Sequence, residues 1–182
     1  LLCSITGNSD WADRCEEVAF NSLPPSMTPD LKGLHYLTAP NQVQLDRQNK
    51  APMIQNGGDM FSYNPYGYRC CQHNVAFAWP SFSEHLWMAT PDNGLAAVMY
   101  AASQVSAKVG DGTAVMITET TGYPFDEIIE LAISAPKTTR FPLYLRIPGW
   151  CAAPAISVSG KLVRTSGQKK GWLMVDRAWA NG

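Results

Sequence analysis

The stretch Gly67-Tyr68-Arg69-Cys70-Cys71-Gln72-His73-Asn74 joins a loop-like segment rich in Gly, Asn, Pro and Tyr to a strongly apolar helical pattern. The apolar residues that follow recur at the spacing of one buried helix face: Val75, Ala78, Trp79, Phe82 and Leu86. Asn74 is expected to cap this helix, and Pro80 is expected to kink or restart it, because proline lacks a backbone donor. The two adjacent cysteines are therefore predicted to lie at a junction between loop and helix.

A second helix is predicted upstream of this junction, over about residues 10–23. Asp10 is a typical N-cap residue, apolar residues follow it at helical spacing, and the two prolines at 24–25 end the pattern. Glu16 and Glu17 are expected on the surface of this helix.

The residues between the two helices are predicted to form long loops with short strands around residues 34–37 and 43–45. Prolines and glycines interrupt any sustained periodicity there. Loops of this length in a compact fold usually cover a functional site. The aromatic residues of the segment either stack on a sugar ring or pack the loop itself: Phe61, Tyr63, Tyr66 and Tyr68.

From Leu95 onward the hydrophobic period changes from 3.6 residues to 2, which predicts strands. Gly110-Asp111-Gly112 has the composition of a hairpin turn between two of them. Acidic residues of this region, Glu119 among them, are expected at turns or exposed strand positions. Further alternating sets occupy residues 129–133, 141–147, 156–159 and 172–175. The predicted fold class is therefore α + β, helical over residues 1–92, with an antiparallel β-sandwich over residues 93–182.

The composition is that of a folded domain without a strong electrostatic partner. The chain has 182 residues, of which 46% are hydrophobic, and a net charge of -1. Neither a nucleic acid nor an anionic membrane is expected as a partner, because no basic excess is present. No apolar run is long enough to span a bilayer. Because the sequence lacks an initiator Met and a signal peptide and ends within a predicted strand, it is expected to be a piece of a longer protein.

The cysteines are more consistent with thiols or metal ligands than with a disulfide framework. Five is an odd number, and neighbouring cysteines rarely bridge to each other. At a helix start, the partial positive charge and a bound metal would both favour the thiolate, so Cys70 or Cys71 could ligate zinc or attack carbon. Alternatively, both are small buried hydrophobic residues. A closed zinc site needs four ligands, and the remaining candidates within this chain include Cys3, Cys15 and Cys151.

The other polar residues give weaker signals. Cys70-x-x-His73 has a spacing found in metal sites, although a helix-start histidine that makes ordinary hydrogen bonds is the simpler interpretation. His35 and His85 have no motif around them. The sequence shows no nucleophile elbow, Gly-rich phosphate loop or pair of carboxylates suited to ordinary glycoside hydrolysis.

The order of several motifs resembles the β-L-arabinofuranosidases of glycoside hydrolase family 127. The motifs that carry the resemblance are Thr6-Gly7-Asn8-Ser9-Asp10-Trp11-Ala12-Asp13, Arg69-Cys70-Cys71 with Asn74, Asn93-Gly94, and Leu145-Arg146-Ile147-Pro148-Gly149-Trp150. The family has an (α/α)6-barrel catalytic domain followed by β-sandwich domains. The resemblance therefore implies that this chain holds the last barrel helices and most of one sandwich.

The resemblance also implies a site. In the family, three cysteines and a glutamate bind zinc, and one zinc-bound cysteine is the nucleophile of a retaining mechanism. Cys70 matches the nucleophile and ligand, and Cys71 matches the next ligand. The other ligands and the acid/base glutamate are expected outside this chain. Tyr68 and His73 are expected to bind substrate, and the presence of Gln72 and His73 where family members have prolines predicts a distinct subgroup.

The expected function is that of a retaining glycosidase acting on β-L-arabinofuranosides or related plant glycans, with Zn²⁺ as cofactor and a carbohydrate as partner. The alternative is a non-catalytic carbohydrate-binding or structural β-sandwich module with buried cysteines. A homo-oligomer is compatible with the sequence. The compartment is left open between cytoplasmic and exported, for a bacterial-type enzyme.

Overall fold

The structure is a computed structural model of the chain. It describes residues 1–27, 29–31, 34–35, 61–62, 69–163, 166–169 and 171–181, with the backbone alone at residues 35, 61–62, 69–72 and 166–169. The chain forms two compact units. One comprises Leu1–Glu16 with Glu84–Gly182, and the other comprises Glu17–Ser83. The predicted domain boundary after residue 92 stays a prediction.

The first two helices are short and have clear ends. Helix α1 spans Leu2–Thr6 and ends at Gly7, which adopts a left-handed conformation. Helix α2 spans Asp10–Asn21 and confirms the predicted helix at this position. It stops before the 3-10 turn Pro24–Ser26, because neither proline can supply the amide hydrogen that would continue the helix.

Helix α3 spans Arg69–Glu84 and therefore begins five residues before the predicted cap. The interpretation of Asn74 as the cap is wrong, because this residue lies inside the helix. The helix also continues past Pro80 to Glu84, so it does not restart there. The predicted apolar face is confirmed only in part: Phe82 is buried and packs edge-on against Phe20, whereas Trp79 is exposed.

Two short strands lie within the unit Glu17–Ser83. Strand β1 spans Leu34–His35 and pairs antiparallel with β2, which spans Phe61–Ser62. Strand β1 lies in the predicted strand over residues 34–37. The second short strand predicted here, over residues 43–45, lies outside the described residues.

The remaining strands belong to the other unit. They are β3 (Trp87–Ala89), β4 (Leu95–Ala97), β5 (Ser103–Val109), β6 (Thr113–Thr121), β7 (Ile129–Ser134), β8 (Thr139–Arg146), β9 (Ser157–Val158), β10 (Lys161–Leu162), β11 (Ser166–Lys169) and β12 (Trp172–Trp179). Several follow the predicted alternation, but the first lies at residues 87–89, where the helical part was expected to continue, and the second is buried at all three of its residues. A five-stranded sheet has the order β11-β12-β8-β4-β3, and a three-stranded sheet has the order β5-β6-β7. Strands β9 and β10 form a separate two-stranded pair.

One strand pair differs from the predicted antiparallel arrangement. Strands β4 and β8 run parallel, with Leu95 opposite Leu143. The residues between these two strands form the whole three-stranded sheet, and a connection of that length can return the chain in the same direction. The prediction of a purely antiparallel fold is therefore wrong at this pair, whereas the mixed α + β class is confirmed.

Both large sheets contribute to one hydrophobic core. Its buried members come from β4, β5, β6, β7, β8 and β12: Leu95, Val109, Val115, Ile117, Ile133, Phe141, Leu143, Val175 and Trp179. The indole N–H of Trp179 donates to the carbonyl of Phe141 at 2.9 Å, so the large aromatic residue leaves no unsatisfied donor in the core.

The predicted turn Gly110-Asp111-Gly112 links β5 to β6. Gly110 has φ +57°, and a Cβ atom there would lie 2.4 Å from the carbonyl oxygen of Arg140. Only glycine avoids both the backbone strain and this clash. In the part of the chain that the structure describes, no helix has the length and apolar character needed to cross a membrane.

Replacing Ile117 by Ala should test the core. Its side chain is fully buried between neighbours of both sheets. We expect Ile117→Ala to lower the free energy of unfolding by about 3 kcal/mol, because a cavity would remain. Met116, the preceding residue on the same strand, is exposed, and Met116→Ala should cost less than about 1 kcal/mol. Equal losses in urea-unfolding curves of the two variants would contradict this core.

Candidate functional site

The cysteine pair lies in the first turn of α3. Cys70 and Cys71 are the second and third residues of this 16-residue helix, rather than residues of the preceding loop. Backbone N–H groups in the first turn lack partners within the helix and carry partial positive charge, which favours a thiolate over a thiol. Their side chains lie outside the described part of the structure. The structure therefore gives the backbone position of the two cysteines, in the first turn of α3.

His73 lies one helical turn after Cys70 and has an exposed side chain. Residues three apart are neighbours on a helix surface, so both occupy the same side of α3. Tyr68 lies outside the described residues, as do the side chains of the aromatic residues predicted near it. The roles predicted for Cys70, Cys71, Tyr68 and His73 stay predictions.

Three further cysteines have described side chains. Cys3, Cys15 and Cys151 are free thiols. Burial raises the pKa of Cys3 and of Cys15 above the usual value, which opposes formation of a thiolate. Among the described side chains, no group of three or more His, Cys, Asp or Glu residues could hold a metal ion.

A buried ionic cluster around Arg146 is the main polar feature that the sequence did not predict. The Arg146 side chain is fully buried in the unit that contains β8. One terminal nitrogen pairs with Asp13, the other lies 2.5 Å from Oε1 of Glu16, and Nε donates to the carbonyl of Val98. Burial alone would lower the pKa of Arg146. The charge of Glu16 and its hydrogen bond raise this pKa by more than burial lowers it, so the net pKa lies above the usual value. The guanidinium stays charged inside the fold.

Glu16 connects α2 to two further segments. Its Oε1 accepts the backbone N–H of Tyr100 at 2.9 Å, and its Oε2 accepts the hydroxyl of Tyr123 at 2.6 Å. Burial, reinforced by the hydrogen bond to Glu16, raises the pKa of Tyr123 to about 12, so the phenol remains a donor. Glu16 is only 5% exposed, and its predicted surface position is wrong. The helical pattern around Glu16 does not reveal its burial, because its cationic partner Arg146 lies 130 residues away in the sequence.

Asp13 extends the cluster to the loop that follows β8. Its second carboxylate oxygen accepts the backbone N–H of Gly149 at 3.2 Å. Trp150, the next residue, stacks on Tyr123 with ring centroids 6.3 Å apart and an interplanar angle of 18°. The motif Leu145-Arg146-Ile147-Pro148-Gly149-Trp150 therefore packs against the start of α2 through both its cation and its loop.

Glu119 is a second buried carboxyl group, at the end of β6. It is 2% exposed, and it accepts the backbone N–H of Ala101 at 3.1 Å and the hydroxyl of Ser103 at 3.3 Å. Burial raises its pKa from the usual 4.5 to about 7, and the charge of Glu16 adds to the increase. The expected exposed position of Glu119 is wrong. The signal was in the sequence, because Glu119 continues the inward alternation of Val115 and Ile117.

The cluster is suited to holding structure rather than to catalysis. The oxygens of Glu16 and Glu119 are occupied by partners within the fold. Neither carboxyl group has the exposed, unoccupied position that an acid/base residue needs to reach a substrate. The candidate site for chemistry therefore remains the start of α3.

A groove of about 640 Å³ lies on the face of the five-stranded sheet that also carries α1. Its floor is a row of side chains in register across four strands: Met88, Ala96, Tyr144 and Met174. The carboxylate of Asp92 in the groove already accepts the hydroxyls of Thr90 at 2.5 Å and Tyr144 at 2.6 Å. The groove therefore presents a mainly apolar lining and no uncommitted carboxylate.

Comparison with known proteins gives two family-model matches that follow one another along the chain. Residues 1–84 match the model for the catalytic domain of the GH127 β-L-arabinofuranosidases. Residues 94–182 match the model for the GH127 middle domain. Together the two models leave only residues 85–93 unmatched. No curated protein matches the sequence.

Two solved structures share the fold of the whole chain. A GH127 β-L-arabinofuranosidase from Geobacillus stearothermophilus T6 has a TM-score of 0.81 and 23% identity, over 100% of this chain and 28% of that protein. A second structure, described as a glycoside hydrolase, has a TM-score of 0.81 and 21% identity, over 100% of this chain and 29% of that protein. The chain thus spans less than a third of the length of either protein.

Removing the buried cation should be far more destabilising than removing an exposed one on the same strand. We expect Arg146→Met to lower the free energy of unfolding by about 3–5 kcal/mol, because the buried carboxyl group of Glu16 would lose its cationic partner. The control is Arg140→Met, which breaks an exposed pair with Asp176 and should lower the free energy of unfolding far less. Urea-unfolding curves measure both. Similar losses for the two variants would show that the buried cluster does not hold the fold together.

Proposed function

Because this chain belongs to glycoside hydrolase family 127, we propose that the protein is a glycosidase that hydrolyses O-glycosyl bonds in β-L-arabinofuranosides or related plant glycans. The observation that carries the proposal is the match of residues 1–84, which include the cysteine pair, to the family's catalytic domain. We further propose that the helices are part of an (α/α)6 barrel and that the two large sheets are part of a β-sandwich. The common core beneath those sheets supports the second assignment.

The donor chemistry at the start of α3 fits a zinc ion. Cys70 and Cys71 would hold it, together with a cysteine and a glutamate from a part of the same protein outside residues 1–182. Thiolates are soft ligands that suit zinc, and the first turn of a 16-residue helix favours their negative charge. When bound, zinc would lower the pKa of the coordinating thiols and so maintain a thiolate at neutral pH.

Cys70 would act as the nucleophile of a retaining reaction. Its sulfur would form a bond to the anomeric carbon while the bond from that carbon to the leaving oxygen breaks. A carboxylic acid from outside this chain would protonate the leaving oxygen. The same group, now a carboxylate, would take a proton from water, and the resulting hydroxide would displace sulfur from the anomeric carbon. Cys71 would act as a ligand alone.

His73 and Tyr68 would contact the sugar. His73 occupies the same side of α3 as Cys70, and its exposed imidazole can form hydrogen bonds with sugar hydroxyls. Tyr68 immediately precedes the helix. We propose that the Gln72-His73 pair, in place of the prolines of other family members, adapts the site to a particular sugar or linkage.

The second candidate is a carbohydrate-binding or structural module whose cysteines are merely buried. The observation that favours it is the hydrophobic core shared by the two large sheets, which needs no metal to form. The two proposals differ in metal content, since only the glycosidase requires zinc bound in a one-to-one ratio.

Replacing Cys70 by Ser should separate these proposals. In the full-length protein, which would supply the remaining ligands and the acid/base group, we expect the wild type to contain about one zinc per chain and Cys70→Ser to reduce kcat by at least about 1,000-fold, because a hydroxyl is a poor nucleophile without a base beside it. Metal analysis and turnover of an aryl β-L-arabinofuranoside measure the two quantities. The matched control is Cys15→Ser, at an exposed cysteine, which should leave both unchanged. A zinc-free wild type, or a fully active Cys70→Ser variant, would refute the proposed mechanism.

His73→Ala should weaken substrate binding more than it slows the chemical step. We expect KM to rise by about tenfold with kcat changed less than about threefold, because the lost hydrogen bond would serve the bound substrate and the transition state alike. His85→Ala, a histidine beyond the end of α3, is the control and should leave KM unchanged. Unchanged KM in His73→Ala would remove His73 from the substrate site.

A further inference from the structure

Residues 98–102 link the five-stranded sheet to the three-stranded sheet, and we refer to them as the crossover segment. Three buried side chains hold its backbone. Arg146 donates to the carbonyl of Val98, Glu16 accepts the N–H of Tyr100, and Glu119 accepts the N–H of Ala101. Two successive amides of one segment are thus bound by two different buried carboxyl groups.

The two carboxyl groups have unequal charge compensation. Glu16 pairs with the guanidinium of Arg146 and also accepts the hydroxyl of Tyr123. Glu119 has no cationic partner among the described residues and accepts only neutral donors, from Ala101 and Ser103. The hydroxyl of Ser103 in turn accepts the indole N–H of Trp87, so its own proton is available for Glu119.

The groups near Glu119 oppose a negative charge on it. Glu16 from α2 repels such a charge, and the hydroxyls of Tyr100 and Tyr123 have raised pKa values and remain neutral. Arg146 from β8 is committed to Asp13 and Glu16. The two donated hydrogen bonds favour ionisation of Glu119, but they offset only part of the cost of burial.

We propose that Glu119 is a pH-dependent latch, which holds the crossover segment against β6 when it is protonated and releases it when it loses its proton. Ionised Glu119 gains by moving into water, and that movement breaks its contacts with Ala101 and Ser103. The closed state is the one in which Glu119 binds Ala101 and Ser103. Because the pKa of this acid is raised in the closed state, that state favours the neutral form of Glu119. The stabilisation is complete below the usual pKa of 4.5 and is lost as the pH rises to about 7.

Amide hydrogen exchange of the whole chain, followed by NMR between pH 5 and pH 8, tests the latch. After correction for intrinsic exchange, we expect the protection of Ala101 to fall roughly tenfold per pH unit up to about pH 7 and then to level off. Amides of the core residue Ile117 should not follow this change. A fall of the same size at Ile117 would indicate global unfolding and would overturn the proposal.

Two variants and one direct measurement complete the test. Glu119→Gln should make the protection of Ala101 independent of pH, because a neutral amide has no proton to lose. Glu130→Gln, at an exposed glutamate on β7, is the matched control and should leave the wild-type pH dependence intact. The carboxyl carbon of Glu119 in the wild type should titrate near pH 7, a measurement that does not depend on either variant folding. A titration midpoint near 4.5, or equal pH dependence of Ala101 in the wild type and Glu119→Gln, would overturn the latch.

Discussion

The unit that contains β3 to β12 depends on the compensation of one buried charge. A fully buried guanidinium at Arg146 would cost several kcal/mol without partners, so a negative charge must accompany it into the interior. Asp13 and Glu16 supply that charge from one helix, three residues apart, which places both carboxylates on the same side of α2. This requirement explains why residues 1–16 pack with the strands of this unit.

The same dependence explains where sequence patterns succeeded and where they failed. Helix α2, the hairpin of β5 and β6, and strand β7 were predictable because their hydrophobic periods and turn residues are local. The burial of Glu16 was not, because its hydrogen bond to Tyr100 spans 84 residues of sequence. Arg146 within the apolar run Leu145-Arg146-Ile147 was the one local sign that such a partner existed. The parallel pairing of β4 and β8 was missed for the same reason, since it depends on the long excursion between them.

At the candidate active site, the residues were predicted from the sequence, but the local structure around them was not. Residue identity and motif order were sufficient to single out Cys70 and Cys71, because adjacent cysteines before an apolar helix are uncommon. The sequence did not give the helix start, which lies at Arg69 and not at Asn74. This difference matters chemically, since consecutive residues of a helix point about 100° apart. The two cysteines therefore occupy different positions around the axis of α3.

Glu16 and Glu119 show how charge compensation assigns different properties to similar residues. Both are buried glutamates, and both bind an amide of the same short segment. Glu16 faces a guanidinium, so its negative charge is part of the structure and removing the cation would leave that charge unpaired. The hydrogen-bond donors to Glu119 among the described residues are neutral. Their two hydrogen bonds offset only part of the effect of burial on the pKa of Glu119, which rises to about 7. The position of one arginine therefore determines which carboxyl group has a cationic partner and which one lacks such a partner among the described residues.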